Sequence, residues 1–416
     1  MWRIRATCSL DHRWRMDKTT IGTLQVIFKI VERCNLNCQY CYYYSGADSK
    51  TDMRPPVISR DTIITVTEFL KHGCEDYSIA NLSIIFHGGE PTLMKHALFD
   101  WMCDYLSANL SHCSSLSFSI QTNGVHMTQD WINVLAKHKV SVGVSIDGNM
   151  KFNDVYRLDH KGGGSHDRIY NNVKKLNAAS SEGRIQPIGL VCVLNSEFDY
   201  GEIYQHFTRD LGVSYLNFLL PDRNRDADLK QKDVISRYGD VLCTLFDEWL
   251  EYGMENVEVR QFAELLSNFT GKIEYRHAPE NYISNQIVVL HSDGDVAVDD
   301  TLMPAMDWYQ RAATANVQTM TLKDWLTQSV FEDLREARST LPTECRDCRW
   351  SSICRGGDVE NRFSKSDGFA GKSVYCSAIM KLYDHVAETL IAGGYPRNRL
   401  ETAIRGRAEQ TLSGAT

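Results

Sequence analysis

The most informative stretch of the sequence is VERCNLNCQYCYYY, residues 31–44, because three cysteines lie together on this short segment. Cys34, Cys38 and Cys41 follow a run of apolar, strand-like residues, Leu24–Ile30. Three thiolates on one loop can hold three irons of a cubane [4Fe–4S] cluster and leave the fourth iron open for a ligand that is not protein. A zinc site or a set of buried thiols is the plainer alternative.

The spacing Cys-x3-Cys-x2-Cys, with the aromatic residue Tyr40 directly before the last cysteine, resembles the radical SAM superfamily. In that superfamily the open iron chelates the amino and carboxylate groups of S-adenosylmethionine. The resemblance therefore implies a [4Fe–4S] cluster and S-adenosylmethionine as cofactors. It also implies reductive cleavage of S-adenosylmethionine to a 5′-deoxyadenosyl radical.

The composition is that of an intracellular enzyme. Of the 416 residues, 24% are charged and 43% hydrophobic, and the net charge of −8 gives no reason to expect nucleic acid or an anionic membrane as a partner. The 13 cysteines are odd in number and grouped at metal-like spacings, which favours reduced thiols over disulfides. The N-terminus lacks an apolar signal region, and no 18-residue apolar run occurs. We therefore predict a cytoplasmic protein.

Strand-like and helix-like segments alternate through the first half of the chain, which predicts βαβ units and a parallel sheet. Six such units resemble the partial (β/α)6 barrel of the radical SAM core, an α/β fold in which the chemistry sits at the C-terminal ends of the strands. The predicted strands are Thr23–Ile30, Leu82–Phe86, Leu116–Ile120, Ser141–Ile146, Ile188–Val193 and Ser214–Leu219. The predicted helices between them include Asp61–His72, Thr128–Lys137, Arg168–Ala179 and Tyr200–Leu211.

The motif HGGEP, residues 87–91, directly follows the second predicted strand. Two glycines allow a backbone to approach a ligand closely, and a tight turn is the plainer alternative. The motif resembles the GGE motif of the family, which binds the amino group of S-adenosylmethionine. The resemblance assigns Gly88, Gly89, Glu90 and Pro91 to that cofactor.

Polar residues after the next strands extend this predicted binding site. Gln121 and Asn123, in a QTNG turn, can bond the ribose or the carboxylate of S-adenosylmethionine, although Asn-Gly favours a turn by itself. Ser145 and Arg157 match positions that contact S-adenosylmethionine in sulfatase-maturase-like members, where the arginine forks onto the carboxylate. We also assign Tyr40 to this site.

A second group of cysteines lies near the C-terminus and resembles a SPASM domain, an extension that carries auxiliary [4Fe–4S] clusters. The alternative is a tetrahedral zinc site. Two of the cysteine positions that a first auxiliary cluster would need hold Asp299 and Asp358 instead, and no cysteine occurs between Cys243 and Cys345. We therefore predict one auxiliary cluster, and two clusters in all, with the auxiliary one held by Cys345, Cys348, Cys354 and Cys376.

These segments predict five regions. They are an N-terminal arm (1–20), the radical SAM partial barrel (21–225), a helical bridge (226–285), a SPASM-like auxiliary-cluster domain (286–395) and a polar tail (396–416).

The resemblance also implies a function. Most SPASM proteins modify peptides, and this chain resembles XYE-type maturases of ribosomally synthesised peptides, which join an aromatic ring to a Cβ two positions away to give a three-residue cyclophane. Removal of the ring proton needs a base, and Asp299 and Asp300 are the candidates, with a solvated β-turn as the alternative. The predicted partners are a precursor peptide, whose leader could add a strand to a sheet edge, and an electron donor such as flavodoxin or ferredoxin.

Other reactions stay open at this point. A peptide epimerase, a thioether-forming maturase or a formylglycine-type maturase would use the same cofactors. A formylglycine maker normally uses two auxiliary clusters, which counts against it here. A zinc-stabilised peptide-binding scaffold without radical chemistry is the non-enzymatic alternative.

Overall fold

The computed structural model describes residues 21–45, 51–110, 115–226, 232–270, 287–303, 305, 308–309 and 315–413. The predicted N-terminal arm, residues 1–20, lies outside the described residues. Within these ranges, no helix combines the length and the apolar character that crossing a bilayer requires.

The described strands form a single sheet of ten strands in the order β10-β9-β8-β1-β2-β3-β4-β5-β6-β7. The pairs from β8 through β1 to β7 are parallel, and β9 and β10 join antiparallel. This architecture confirms the predicted α/β class. The strands are β1 Thr23–Val31, β2 Asn81–Gly88, β3 Ser115–Thr122, β4 Ser141–Ser145, β5 Gly189–Val193, β6 Tyr215–Leu219, β7 Glu258–Val259, β8 Ile287–Leu290, β9 Asp295–Ala297 and β10 Ala315–Asn316.

Helices cover one face of the parallel strands, which explains the alternating burial along each strand. In β2, Leu82, Ile84 and Phe86 are fully buried beneath the helices, whereas His87 points to the other face. The register pairs Lys29 of β1 with His87 of β2. These two polar side chains therefore project together into the interior of the partial barrel.

The helices begin where capping residues satisfy the first free amide groups. Ser59 and Thr128, for example, accept hydrogen bonds from the amides of Thr62 and Trp131. The α-helices are Tyr42–Ser45, Arg60–Tyr77, His96–Asn109, Gln129–Lys137, Met150–Tyr156, His166–Ser181, Tyr200–Gln205, Lys232–Tyr252, Arg260–Thr270, Leu322–Leu326, Glu332–Ser339, Ser351–Cys354, Cys376–Ala392 and Arg397–Ser413. Short 3-10 turns span Pro91–Leu93, Asp300–Leu302, Ser329–Phe331, Thr343–Cys345 and Val359–Arg362, and a π-helical turn spans His206–Asp210.

The sheet continues beyond the six strands predicted for the barrel. β7, from the predicted helical bridge, extends the edge at β6, and β8, from the predicted SPASM-like domain, pairs parallel with β1. Helix Cys376–Ala392 packs against helix Lys232–Tyr252, and the tail helix buries Leu400. The C-terminal half is therefore built onto both edges of the barrel sheet. Our division into five regions stays a prediction.

Candidate functional site

The cysteine loop leaves the carboxyl end of β1 and is held by the segment that contains Arg157. The amide of Asn37 donates to the carbonyl of Leu158 at 2.7 Å, and the ring of His160 lies 2.9 Å from the carbonyl of Cys34. The amide of Leu36 donates to the Cys34 sulfur at 3.4 Å. These contacts hold the cysteine loop against the segment of residues 158–160.

The three cysteines of this loop are half-buried. Burial, with the neighbouring charges of Glu90, Cys38 and Cys41 adding to it, raises the pKa of the Cys34 thiol to about 12. Burial also raises the pKa of Cys38. Metal binding to such thiols releases their protons, because the thiolate is the ligand.

The two glycines of HGGEP are needed for contact with the cysteine loop. A Cβ on Gly88, whose φ is 133°, would lie 2.0 Å from the carbonyl oxygen of Val31, and one on Gly89 would lie 2.4 Å from that of Arg33. The amides of Gly89 and Glu90 donate to those same carbonyls at 2.8 and 2.9 Å. The glycines thus let β2 support the loop that carries Cys34.

Glu90 is fully buried, and its carboxylate is already well supplied with donors. It accepts hydrogen bonds from the amide of Thr92 at 3.0 Å, from the hydroxyl of Thr122 at 2.6 Å and from the amide of Asn123 at 2.6 Å. The carboxylate therefore joins the ends of β2 and β3. Its role as an acceptor for the ammonium of S-adenosylmethionine stays a prediction.

Tyr40, Asp147 and Arg157 form a cluster beside Cys38, and the two charged side chains are buried. The Tyr40 hydroxyl donates to Asp147 and accepts from Nη1 of Arg157 at 2.9 Å. Among the described residues, Nε of Arg157 has no hydrogen-bond partner. A buried guanidinium with one unsatisfied donor suits an added carboxylate. Asp147 is a site residue that we did not single out from the sequence, although it stands in the SIDG turn beside Ser145.

The other residues assigned to the cofactor lie on neighbouring strand ends. Gln121 donates to the hydroxyl of Ser145 at 2.8 Å across β3 and β4. The amide group of Asn123 lies 3.6 Å from the Cys34 sulfur, and Pro91 opens the 3-10 turn after Glu90. All nine residues therefore surround the same barrel mouth, and their contacts with S-adenosylmethionine remain predictions.

Lys29, Asp300, Tyr42 and His87 form a second cluster, inside the barrel. The Lys29 ammonium is completely buried and forms an ion pair with Asp300. It also donates to the Tyr42 hydroxyl at 3.2 Å and to Nδ1 of His87 at 3.4 Å. The Tyr42 hydroxyl in turn donates to Asp300 at 2.9 Å.

Charge decides the protonation of Asp300. Burial acts to raise the pKa of its carboxyl, but the charge of Lys29, with His87 and the Tyr42 hydrogen bond, outweighs burial and lowers the pKa to about 2. Asp300 is therefore an anion at neutral pH. Lys29 was missed by sequence analysis, although a single lysine inside an otherwise apolar strand is the signal that could have found it.

Asp299, the other candidate base, has a different role in this geometry. Its carboxylate accepts from the amide of Thr301 at 3.1 Å and caps the 3-10 turn that begins at Asp300. Burial first, and then the charge of Asp300, raise the pKa of Asp299. Asp299 and Asp300 are buried, so neither lies on a solvated turn.

The four C-terminal cysteines line one common cavity. Arg355 adopts a left-handed conformation directly after Cys354, and Gly356 and Gly357 follow with φ of 91° and 81°. A Cβ on Gly357 would lie 2.5 Å from that of Ser373, so this turn requires a glycine. The turn folds the chain back so that the cavity is lined by Cys345, Cys348, Cys354 and Cys376.

The spread of the sulfurs bears on the choice between zinc and a larger cluster. Within the described residues, neither cysteine set contains three sulfurs that all lie within 4.8 Å of one another. A tetrahedral zinc site has Zn–S bonds of about 2.3 Å, which places its sulfurs about 3.8 Å apart. The choice between zinc and an iron–sulfur cluster at the C-terminal cysteines stays a prediction.

The sequence profile of the radical SAM superfamily matches residues 28–196, from within β1 to just beyond β5. The chain carries a radical SAM domain. Such a domain makes the protein an enzyme that uses a [4Fe–4S] cluster and S-adenosylmethionine. In this radical SAM domain the donor set fits those groups, because three thiols share one loop and a buried guanidinium nearby lacks a partner.

Relatives extend the likeness over most of the chain. The cysteine-type anaerobic sulfatase-maturating enzyme of Clostridium novyi is 25% identical over 86% of this chain and 95% of its own length. The serine-type enzyme of Bacteroides thetaiotaomicron is 24% identical over 85% of this chain and 87% of its own. The similarity to these enzymes therefore extends over both the radical SAM domain and the C-terminal half.

Solved structures show the same architecture. Native anSMEcpe with bound AdoMet superposes with a TM-score of 0.74 at 22% identity, covering 89% of this chain and 98% of that one. The same protein with bound AdoMet and the Cp18Cys peptide gives a TM-score of 0.73. The radical SAM domain and its C-terminal extension thus adopt a known combined fold.

His87 should make stability depend on pH. Burial, with the charge of Lys29, lowers the pKa of His87 from 6.5 to about 4. Between these two pH values, His87 binds a proton in the unfolded chain but not in the folded protein. The free energy of unfolding therefore falls as the pH drops from 6.5 to about 4. We expect a loss of about 2 kcal/mol from about pH 8 to about pH 5 that is specific to His87. Urea unfolding of the wild type and of His87→Gln measures it, and equal losses in both proteins would contradict it.

Proposed function

We propose that this radical SAM enzyme oxidises a side chain of a peptide or protein by removing a hydrogen atom from its Cβ, followed by a proton and an electron. The anionic carboxylate of Asp300, held in the barrel interior close to the cysteine loop, is the observation that carries the proposal. The named relatives act in sulfatase maturation, and a solved neighbour binds a peptide, which supports a peptide as the substrate.

The chemistry divides between the cofactors and the chain. When bound, the cofactors supply a 5′-deoxyadenosyl radical, which takes the hydrogen atom, and an auxiliary cluster, which accepts the electron. The chain supplies the proton acceptor. Asp300 receives the proton, and Lys29 keeps that carboxylate ionised until then. Loss of an electron leaves the substrate as a cation that is a strong acid, so even a carboxylate of low pKa can accept its proton.

His87 adds a fixed hydrogen-bond donor beside this base. The amide of Gly88 donates to its Nδ1 at 2.8 Å, so Nδ1 is unprotonated and Nε2 carries the hydrogen. The lowered pKa of the ring keeps it neutral. In our proposal, the Nε2–H group orients a carbonyl of the peptide next to Asp300.

Two products fit this chemistry. The resemblance to XYE-type maturases favours a bond between an aromatic ring carbon and Cβ, which gives a cyclophane, and there Asp300 would take the ring proton. The relatives named for sulfatase maturation favour the second candidate, a formylglycine made from cysteine or serine. The aspartates at 299 and 358, where a first auxiliary cluster would need cysteines, support the cyclophane.

Product analysis separates these candidates. Co-expression with a candidate precursor peptide should give a peptide that has lost two hydrogens per modification and carries a ring–Cβ bond by tandem mass spectrometry. Deuterium at that Cβ should move into 5′-deoxyadenosine. An aldehyde that reacts with an aminooxy probe would replace the cyclophane by formylglycine. A peptide of unchanged mass would contradict both products.

The metal content tests the proposed pair of clusters. We expect about eight irons and eight sulfides per chain after anaerobic reconstitution, because the chain supplies cysteine ligands for two cubanes. Iron and sulfide analysis with Mössbauer spectroscopy measures this. About twelve irons, or stoichiometric zinc, would contradict a single auxiliary cluster. Cys243→Ala is the control, since Cys243 belongs to neither set and its loss should leave the iron content unchanged.

A further inference from the structure

Two histidines outside the residues assigned to the cofactor meet through their rings. His166 opens helix His166–Ser181, and His206 opens the π-helical turn that follows β5. Their side chains are 8% and 6% exposed, and their Nε2 atoms lie 3.2 Å apart. Isolated π-helical turns are frequent at functional sites.

The outer nitrogen of each ring faces a carboxylate. Nδ1 of His206 lies 2.9 Å from Asp210, and Nδ1 of His166 lies 3.3 Å from Asp167. An ionised carboxylate only accepts hydrogen bonds, so a neutral ring that donates from Nδ1 to its carboxylate keeps a lone pair on Nε2. In two neutral rings of this tautomer, two nitrogen lone pairs would face each other. A cation between them removes that repulsion.

The candidate cations are a shared proton and a metal ion. For a metal ion, two ligands at about 2.05 Å in tetrahedral geometry lie about 3.3 Å apart, which matches the observed distance. Histidines that bind metals usually donate their other N–H to a carboxylate, as these do.

We propose that His166 and His206 form a two-histidine site for a divalent first-row transition-metal ion, with Asp167 and Asp210 as outer hydrogen-bond acceptors. Within the described residues no third histidine, cysteine or carboxylate ligand completes a group of three around them. Water would have to fill the remaining positions of such an ion. This site goes beyond the proposed function and does not depend on it.

The site is mechanically linked to the loop of Arg157. Asp154 accepts from the amides of Ser165 and His166, both at 2.9 Å, and the Ser165 hydroxyl donates to the carbonyl of Arg157 at 2.7 Å. A metal ion that joins His166 to His206 would fasten the start of this helix to the π-helical turn. Metal binding should therefore raise the thermal stability of the domain.

Titration of the reconstituted holoenzyme with Ni²⁺ tests the site, because its clusters already occupy the cysteines. Calorimetry should find one Ni²⁺ per chain, and His166→Gln and His206→Gln should abolish it. Asp210→Asn, at a largely exposed position, should weaken binding by about 10–100-fold through loss of the outer acceptor. Each variant should keep the iron content and circular dichroism of the wild type, so that loss of binding is not loss of fold.

His138→Gln is the matched control. His138, Asp100 and Asp104 form a separate surface group whose ligand atoms lie within 4.8 Å of one another, but the Lys137 ammonium already contacts both carboxylates there. This variant should bind Ni²⁺ as the wild type does. Unchanged binding in both His166→Gln and His206→Gln, loss of binding in His138→Gln, or no binding by the wild type would overturn the proposal.

Discussion

Replacing Cys34, Cys38 or Cys41 by alanine is expected to reduce 5′-deoxyadenosine formation to the background of the assay. Each replacement removes one of three iron ligands from a cluster that has no protein ligand to spare. The loop itself should persist, because the contacts of Asn37 and the glycines after β2 hold its backbone. Anaerobic incubation with S-adenosylmethionine and dithionite, followed by chromatography, measures the product.

The C-terminal cysteines provide the internal comparison for this experiment. The triple variant of the loop should retain the iron and the spectrum of the auxiliary cluster, since the cavity lined by Cys345, Cys348, Cys354 and Cys376 is untouched. Cys243→Ala should keep full activity. If the triple variant still cleaved S-adenosylmethionine, the assignment of the loop would be wrong.

Breaking the buried Lys29–Asp300 pair is expected to cost both stability and product. Lys29→Met leaves the Asp300 carboxylate buried without its counter-ion, which typically costs about 3–5 kcal/mol. Asp300→Asn should stop product formation while 5′-deoxyadenosine is still made, because the amide cannot take a proton. Anaerobic urea unfolding and product analysis by mass spectrometry measure the two effects.

A double-mutant cycle isolates the pair. Lys29→Met combined with Asp300→Asn should recover part of the lost stability, because no unpaired charge is then buried. The exposed pair of Lys151 and Glu202, 2.9 Å apart, is the control, and Lys151→Met should cost no more than about 1 kcal/mol. Equal costs for Lys29→Met and Lys151→Met, or full product from Asp300→Asn, would contradict the prediction.

The Lys29–Asp300 pair also determines how the stability of the protein changes with pH. The folded pKa of Asp300, about 2, lies below its ordinary value of 3.8. The stability gained from this ionisation is therefore present above about pH 4 and is lost as the pH falls towards 2. Asp300 thus remains a charged base across the range in which an enzyme of this kind would be assayed.

The strands of the barrel and the cysteine loop could be predicted from the sequence, because both depend on short-range patterns. Strand periodicity is a local property of the sequence. In β1 and β2, for example, residues that pack beneath the helices alternate with residues that face the barrel interior. The cysteine spacing is also local, because all three ligands of the loop come from one segment. For these features, short-range pattern and tertiary structure agree.

The partners of the charged residues could not be predicted from the sequence, because they come from distant parts of the chain. Lys29 and Asp300 are separated by 271 positions, and they meet because β8 pairs with β1 and leads the chain back over the barrel mouth. The same long-range pairing makes Asp300 the anion and leaves Asp299 to cap a turn. Two neighbouring aspartates look alike in sequence. Burial acts to raise the pKa of both carboxyls. Their pKa values diverge because only Asp300 faces a buried ammonium, that of Lys29.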